Sequence, residues 1–228
     1  MESCAIVPLT HSDDLFAATT PVAGEAPLVR VVRSVMTVVA GDRVVVATLP
    51  VLVDCVRDCL EAAGLEVAVA VSGEPGLRYE VIRAALEYLG AEPHTSAAVL
   101  VCDHGFPLSP GELAERVLSA LRDGREVVVP TVPVTDTVKT VDETGWVLGT
   151  VDRSTLQTVQ SPRGFTASAL WQLVSTSPAT GPTDVDEFDA ALRAGLDIGT
   201  VAGDPNAFRV ELPRDAHLFE AVIACRPD

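Results

Sequence analysis

Lysine is almost missing from this chain. Of its 16 basic residues only Lys139 is a lysine, and the rest are arginines. Asp and Glu number 32, twice the basic residues, for a net charge of −16. A chain this acidic repels phosphate backbones and anionic lipid, which argues against nucleic acid or a membrane surface as its partner. Aromatics are scarce at 4% against 48% hydrophobic residues overall, so the core must be aliphatic. No stretch approaches the ~20 uninterrupted apolar residues of a membrane span. The opening MESCAIVPLTHSDD has no basic region and too short an apolar run for a signal peptide. Five scattered cysteines (Cys4, Cys55, Cys59, Cys102, Cys225) are an odd set in a chain large enough to fold without staples. Cys55 and Cys59 have the spacing of a metal pair on a helix, but no His or second Cys pair stands near, and buried small hydrophobes fit better. The expectation is a reduced, soluble, cytoplasmic protein folded as a single domain over residues 1–228.

The first 130 residues alternate β-branched runs with helical patterns. Strands are expected at Cys4–Pro8, Arg43–Leu49, Leu65–Val71, Ala97–Cys102 and Glu126–Thr131. Runs such as VVVATL and AAVLVC are continuously apolar, as strands buried on both faces must be. Between them, helices are expected at Leu28–Val39, Val51–Ala63, Arg78–Gly90 and Pro110–Asp123, the last capped by Ser109 and stopped by Gly124. Such alternation predicts an α/β fold: a mainly parallel twisted sheet flanked by helices. After Pro130 the texture changes. A Thr/Val-rich segment with a turn at Asp142–Gly145 predicts a projecting β-hairpin. Helices at Thr166–Thr176 and Asp184–Ala194, strands at Asp197–Val201 and Ala207–Val210, and a helix from Arg214 to Ala224 complete the expectation.

In open parallel sheets, ligands bind outside the carboxyl ends of the strands. That directs attention to Pro8–Leu15, Asp103–Pro107 and Ala207–Glu211. Asp103 directly follows the apolar strand AAVLVC, where a carboxylate can hold a hydrated Mg²⁺ beside phosphates. It can equally serve only to turn the loop DHGFP. His104 beside it is a possible base, although a lone loop histidine is more often simply solvated.

Two strings carry a family resemblance. Pro133, Asp136, Thr137 and Lys139 match P-x-x-D-T-x-K, and Thr150, Arg153, Leu156, Gln160, Pro162 and Phe165 match T-x-x-R-x-x-L-x-x-x-Q-x-P-x-x-F. With the Thr183-Asp184 pair and the later GDPNAFRVELPRD, the chain resembles 2-C-methyl-D-erythritol 4-phosphate cytidylyltransferases. That resemblance implies a nucleotidyltransferase fold of Rossmann-like architecture. It also implies CTP-dependent cytidylyl transfer to a sugar-alcohol phosphate, in non-mevalonate isoprenoid biosynthesis. A nucleotide and a sugar phosphate are the implied ligands, with Mg²⁺ on Asp103. It further implies a homodimer in which an arm, residues 133–165, completes the partner's pocket and Thr150 contacts the substrate from across the interface.

The departures from the family's strings are concentrated where the triphosphate would sit. The family's A-A-G-x-G-x-R loop becomes Leu9-Thr10-His11-Ser12-Asp13-Asp14-Leu15: both glycines are gone and Leu15 stands for the arginine. Val22 stands for one catalytic lysine and Arg209 for the other, with Glu211 in place of the nearby threonine. The base-binding string keeps Arg78 but loses its serine. By this resemblance Arg209 and Thr150 are the candidate catalytic residues. Asp103, Thr150, Arg153, Arg78 and Ser12 are the candidate substrate contacts, and Asp103 is the candidate metal ligand. Removing one positioned donor at a charged transition state costs ~10²–10³ in rate. Losing several predicts impaired or absent catalysis. A binding or partner subunit that keeps the arm, or an enzyme using another activated nucleotide with Asp13 or Asp14 recruited, are the alternatives.

Overall fold

The β-branched runs form strands whose successive side chains enter opposite cores. The computed structural model describes residues 1–10, 12–73, 76–175 and 186–225. In chain order the elements begin β1 (Glu2–Leu9), α1 (Ser12–Thr19), α2 (Pro27–Val35), β2 (Val44–Thr48), α3 (Val53–Ala62) and β3 (Ala68–Val71). They continue with α4 (Arg78–Leu89), β4 (Ala97–Val101), α5 (Gly111–Arg122), β5 (Val127–Pro133), β6 (Lys139–Val141) and β7 (Val147–Thr150). Last come β8 (Gln157–Val159), β9 (Arg163–Thr166), α6 (Ala167–Ser175), α7 (Glu187–Arg193), β10 (Ile198–Ala202) and α8 (Ala216–Ala224). The main sheet runs β10-β5-β9-β4-β1-β2-β3, with β8 also on β5. Pairing is parallel for β1–β2, β1–β4, β2–β3 and β5–β10, and antiparallel where β9 enters between β4 and β5.

Alternation along β1 shows how the two cores are built. Cys4 and Ile6 pack with Val45, Val99, Phe165, and Ile82 and Leu86 of α4 on one face. Ala5, Val7 and Leu9 pack with Val46, Leu100, Val32 of α2, and Leu118 and Leu121 of α5 on the other. Both faces are therefore covered, which is why the strands read as unbroken apolar runs. Burying each Leu, Ile or Val side chain contributes ~1.5–3 kcal/mol. The fold class is the expected one. Among the described residues, no helix is long and apolar enough to cross a membrane.

Five local expectations change. The segment read as a phosphate loop carries helix α1 from Ser12, and no glycine stands between Leu9 and Thr20. Ser109 does not cap α5; its hydroxyl donates to the Ser161 carbonyl oxygen at 2.8 Å, and Pro110 takes the cap position without a side-chain bond. The helix expected over Leu28–Val39 ends at Val35. No strand forms at Ala207–Val210. There, Pro205 interrupts the backbone donors and the Asp204 carboxylate accepts the Asn206 N–H at 2.8 Å, so a turn replaces it. The final helix starts at Ala216, two residues past Arg214, behind a turn in which the Glu211 N–H donates to Asp215 at 2.9 Å. The start of the Asp184–Ala194 helix falls outside the described residues, and α7 itself runs from Glu187 with Asp186 as its cap. The hairpin is present as β6 and β7, paired antiparallel from Lys139↔Thr150. Its legs, however, belong to the main sheet: β8 pairs with Thr131–Pro133, and β9 lies within the sheet.

Candidate active site

The carboxyl edge of the central strands gathers the charged residues. The chain leaves β4 into a tight turn in which the Phe106 N–H donates to the Asp103 carbonyl oxygen at 3.1 Å. This points the Asp103 carboxylate back over the turn, where Oδ1 accepts the Gly105 N–H at 2.8 Å. Gly105 sits in a tight space: a Cβ there would lie 3.1 Å from Asp103 Oδ1 and 3.5 Å from Arg209 Cζ. The other carboxylate oxygen, Oδ2, accepts from Arg209 Nη1 at 2.7 Å. The Arg209 guanidinium also lies over the Phe106 ring, 5.8 Å from its centre.

Burial pushes the Asp103 carboxyl upward. His104, Arg209, the Gly105 N–H and Arg78 together outweigh it and hold the group below the ordinary carboxylate value. The acid is therefore ionised at neutral pH and balanced by its neighbours.

Arg78 opens α4 and its guanidinium is committed elsewhere. Nε and Nη2 donate to Glu187 Oε2 and Oε1 at 2.9 and 3.1 Å. Arg163 of β9 donates to Asp186 and reaches Glu187 Oε1 at 3.5 Å. Arg78, Arg163, Asp186 and Glu187 thus form one four-residue ionic network that ties α4, β9 and α7 together.

The arm holds the other candidates. Lys139 Nζ donates to Thr150 Oγ1 at 2.6 Å across the β6–β7 pair. Arg153 donates to the Thr135 carbonyl oxygen at the base of the hairpin. Ser12 is the first residue of α1. The structure therefore brings Asp103, Arg209, His104 and Arg78 into one electrostatic cluster, and places Thr150 and Arg153 on the arm. Asp184 lies outside the described residues.

Three residues of this arrangement escape the sequence reading. Gly105 reads only as part of a turn, and Glu187 as one more acid in a solvated helix start. Ser161, whose hydroxyl accepts the Asp103 N–H at 2.9 Å, lies between two matched positions without being one. The two tryptophans occupy different settings. Trp146 is exposed on the arm, and Trp171 is partly buried with Nε1 donating to the Ala91 carbonyl oxygen at 2.6 Å.

A family model for 2-C-methyl-D-erythritol 4-phosphate cytidylyltransferase matches residues 13–224. The chain belongs to this family. Curated cytidylyltransferases of that name from Rhodococcus jostii and Frankia casuarinae are 36% and 35% identical to it, over 88% and 98% of this chain and 83% and 82% of theirs. A 4-diphosphocytidyl-2C-methyl-D-erythritol synthase from Anaerococcus prevotii shares the fold at a TM-score of 0.78, with 18% identity and 98% of each chain covered. The Thermus thermophilus cytidylyltransferase superposes at 0.75, with 24% identity over 98% of this chain and 100% of its own.

For a 2-C-methyl-D-erythritol 4-phosphate cytidylyltransferase, the Mg²⁺ expected on Asp103 meets an unsuitable donor set in this chain. Both carboxylate oxygens already accept hydrogen bonds, one of them from a cation. The residues present do not fit the ion.

Proposed function

We propose that this member of the cytidylyltransferase family transfers cytidylyl groups slowly or not at all, and acts chiefly through its retained arm as a dimerising partner or binding subunit. The observation that carries the reading is the Asp103–Arg209 pair: the carboxylate that should face a nucleotide is neutralised from within the chain. Two further features support it. Helix α1 starts where a glycine-rich cradle would have to wrap phosphates with backbone N–H groups. Val22, where the resemblance calls for a lysine, is 5% exposed in an apolar cluster with Leu108, Val210 and Phe219.

The reaction at issue is in-line attack of the sugar-alcohol phosphate on the α-phosphorus of CTP. It needs cations convergent on the triphosphate. Arg209 supplies one charge already engaged by Asp103, and Arg78 is held by Glu187. The decisive measurement is pyrophosphate release from CTP in the presence of 2-C-methyl-D-erythritol 4-phosphate, beside an intact family member. A rate at least ~10²-fold below that member is expected, the loss of one positioned donor or more. A comparable rate would overturn the reading.

The dimer is part of the same proposal. Val141, Trp146, Val147 and Leu148 on the hairpin are 57, 75, 64 and 68% exposed, apolar surface distributed over both faces of the hairpin that a second arm would cover. Deleting Val134–Leu156 should convert a dimer to monomers or aggregates by light scattering. A monomeric intact chain at micromolar concentration would remove this part of the proposal.

A further inference from the structure

We infer that Arg209 stands on Asp103 in the place of a divalent cation, so that this carboxylate takes no metal while the arginine is present. The inference rests on the reading of Asp103 as the remnant of a nucleotidyl-transfer site, but it concerns the chain's own residues and is tested apart from activity.

The placement of the guanidinium is built in by the backbone on both sides of it. The Val210 N–H donates to the Gly105 carbonyl oxygen at 2.7 Å, fastening the 208–210 segment to the Asp103 turn. Phe208 and Val210, the two neighbours of Arg209, pack into the cluster of Val22, Leu108 and Phe219. With its neighbours anchored in that cluster, residue 209 projects onto the turn. There the absence of a side chain at Gly105 leaves room for both the carboxylate and the guanidinium. Nη1 lies 2.7 Å from Oδ2, while Oδ1 is occupied by the Gly105 N–H at 2.8 Å.

The chemistry follows from these contacts. Mg²⁺ and Mn²⁺ bind carboxylate oxygens at ~2.0–2.2 Å and keep most of their water, so an arriving ion needs an oxygen with a free approach and a net negative field. Here one oxygen faces an arginine and the other a backbone donor. Arg78 adds positive charge around the same group. The Arg209 side chain is 53% exposed, yet its guanidinium is charged at every accessible pH and cannot be titrated away as a lysine could. The arrangement therefore disfavours a metal chiefly by charge, since the guanidinium already neutralises the one carboxylate that would hold it.

Gly105 provides the probe, because its amide lies against Asp103 Oδ1. In the ¹⁵N-labelled intact chain, substoichiometric Mn²⁺ should broaden the Gly105 amide signal no more than it does in Asp103→Asn. In Arg209→Ala, and in the closer Arg209→Gln, the same addition should abolish that signal selectively, and adding Asp103→Asn to either should restore it. The double variants separate binding at this carboxylate from the diffuse attraction of a chain of net charge −16. Circular dichroism melts establish that each variant is folded. Broadening in the native chain that Asp103→Asn removes would overturn the inference. So would Arg209 variants whose Gly105 signal is unaffected. A chain that releases pyrophosphate while Gly105 stays insensitive to Mn²⁺ would sink the functional proposal and uphold the role of Arg209.

Discussion

Glu187 is the residue whose loss the structure prices most clearly. Its side chain is only 3% exposed, and it bonds Arg78 through two parallel contacts while Arg163 approaches the same carboxylate. Both arginines are themselves mostly buried, at 19 and 17% exposure. Glu187→Ala would leave the Arg78 guanidinium without its bidentate partner in a poorly solvated place. Breaking a buried pair by removing one member costs ~3–5 kcal/mol, whereas an exposed pair is worth ~0–1 kcal/mol. Arg163 keeps Asp186, and Arg78 still feels the fields of Asp103 and Asp186, which argues for the lower end, about 3 kcal/mol. For a chain of this length each kcal/mol moves the melting temperature by ~2–4 °C, so a fall of about 6–12 °C is expected. In urea, with a slope of ~2–3 kcal/mol/M, the midpoint should drop by about 1–1.5 M. The double variant Glu187→Leu with Arg78→Met should recover most of that loss, because no buried charge is then left without a partner, Arg163 keeping Asp186. A fall of under about 1 kcal/mol for Glu187→Ala alone would show the network behaving as solvated charges and would refute the reasoning.

Other expectations follow from single contacts. Gly164→Ala would set a Cβ 2.3 Å from Val117 Cγ1 and 3.0 Å from Leu121 Cδ1, between β9 and α5. The overpacking should cost ~1–3 kcal/mol in urea unfolding, and an unchanged midpoint would contradict it. The Asp103 carboxyl sits below its ordinary value of 3.8 in the folded chain, so its ionised form contributes stability above that pH and the contribution fades as pH falls through the folded value. The stability gap between native chain and Asp103→Asn should accordingly be wide at about pH 6 and narrow at about pH 3, and a gap that widens on acidification would be incompatible with this sign. Burial pushes the thiols of Cys4 and Cys102 up to about 11 and 12, while Cys55 and Cys225 are exposed. Disulfide-reagent titration of the native chain at about pH 8 should find Cys55 and Cys225 fast, and Cys4 and Cys102 silent until denaturant is added. Rapid labelling of Cys4 or Cys102 would contradict the packing of the cores.

What could be read from the sequence was what local chemistry determines. Val44–Thr48 and Ala97–Val101 could be found because strands buried on both faces carry apolar residues at every position. The hairpin turn could be found because the Asp142 carboxylate accepts the Thr144 and Trp146 N–H groups, a short-range habit of Asp that Gly145 then completes. Asp103 could be found because a carboxylate ending an apolar strand is conspicuous. Long-range pairings were out of reach. Nothing local in Arg163–Thr166 announces a strand that runs against its neighbours in the middle of a parallel sheet. Arg78 reads as a ligand contact until Glu187 is placed beside it, and Arg209 as a lone cation until the fold sets it on Asp103. The two partners in each pair lie more than a hundred residues apart. Helix α1 was hidden for the opposite reason: a resemblance suggested a loop there, and the glycines that let a backbone wrap a phosphate are absent.

The joint between β8 and β9 has a mechanical consequence. Gln160 exchanges two hydrogen bonds with the Asp204 backbone, at 2.8 and 2.9 Å, and its own N–H donates to the Pro130 carbonyl oxygen at 2.9 Å. Next to it, Ser161 accepts the Asp103 N–H through its hydroxyl and the Ser109 hydroxyl through its carbonyl. The root of the arm is thus a keystone, wedged among the turns at 103, 109 and 204 rather than hung from them by a flexible tether. Residues can be added or exchanged at the tip, around Asp142–Gly145, without disturbing that wedge. A load taken up at the tip would reach the backbone of Asp103 through the leg that ends in Ser161, so a partner that gripped the arm would also bear on the Asp103 turn.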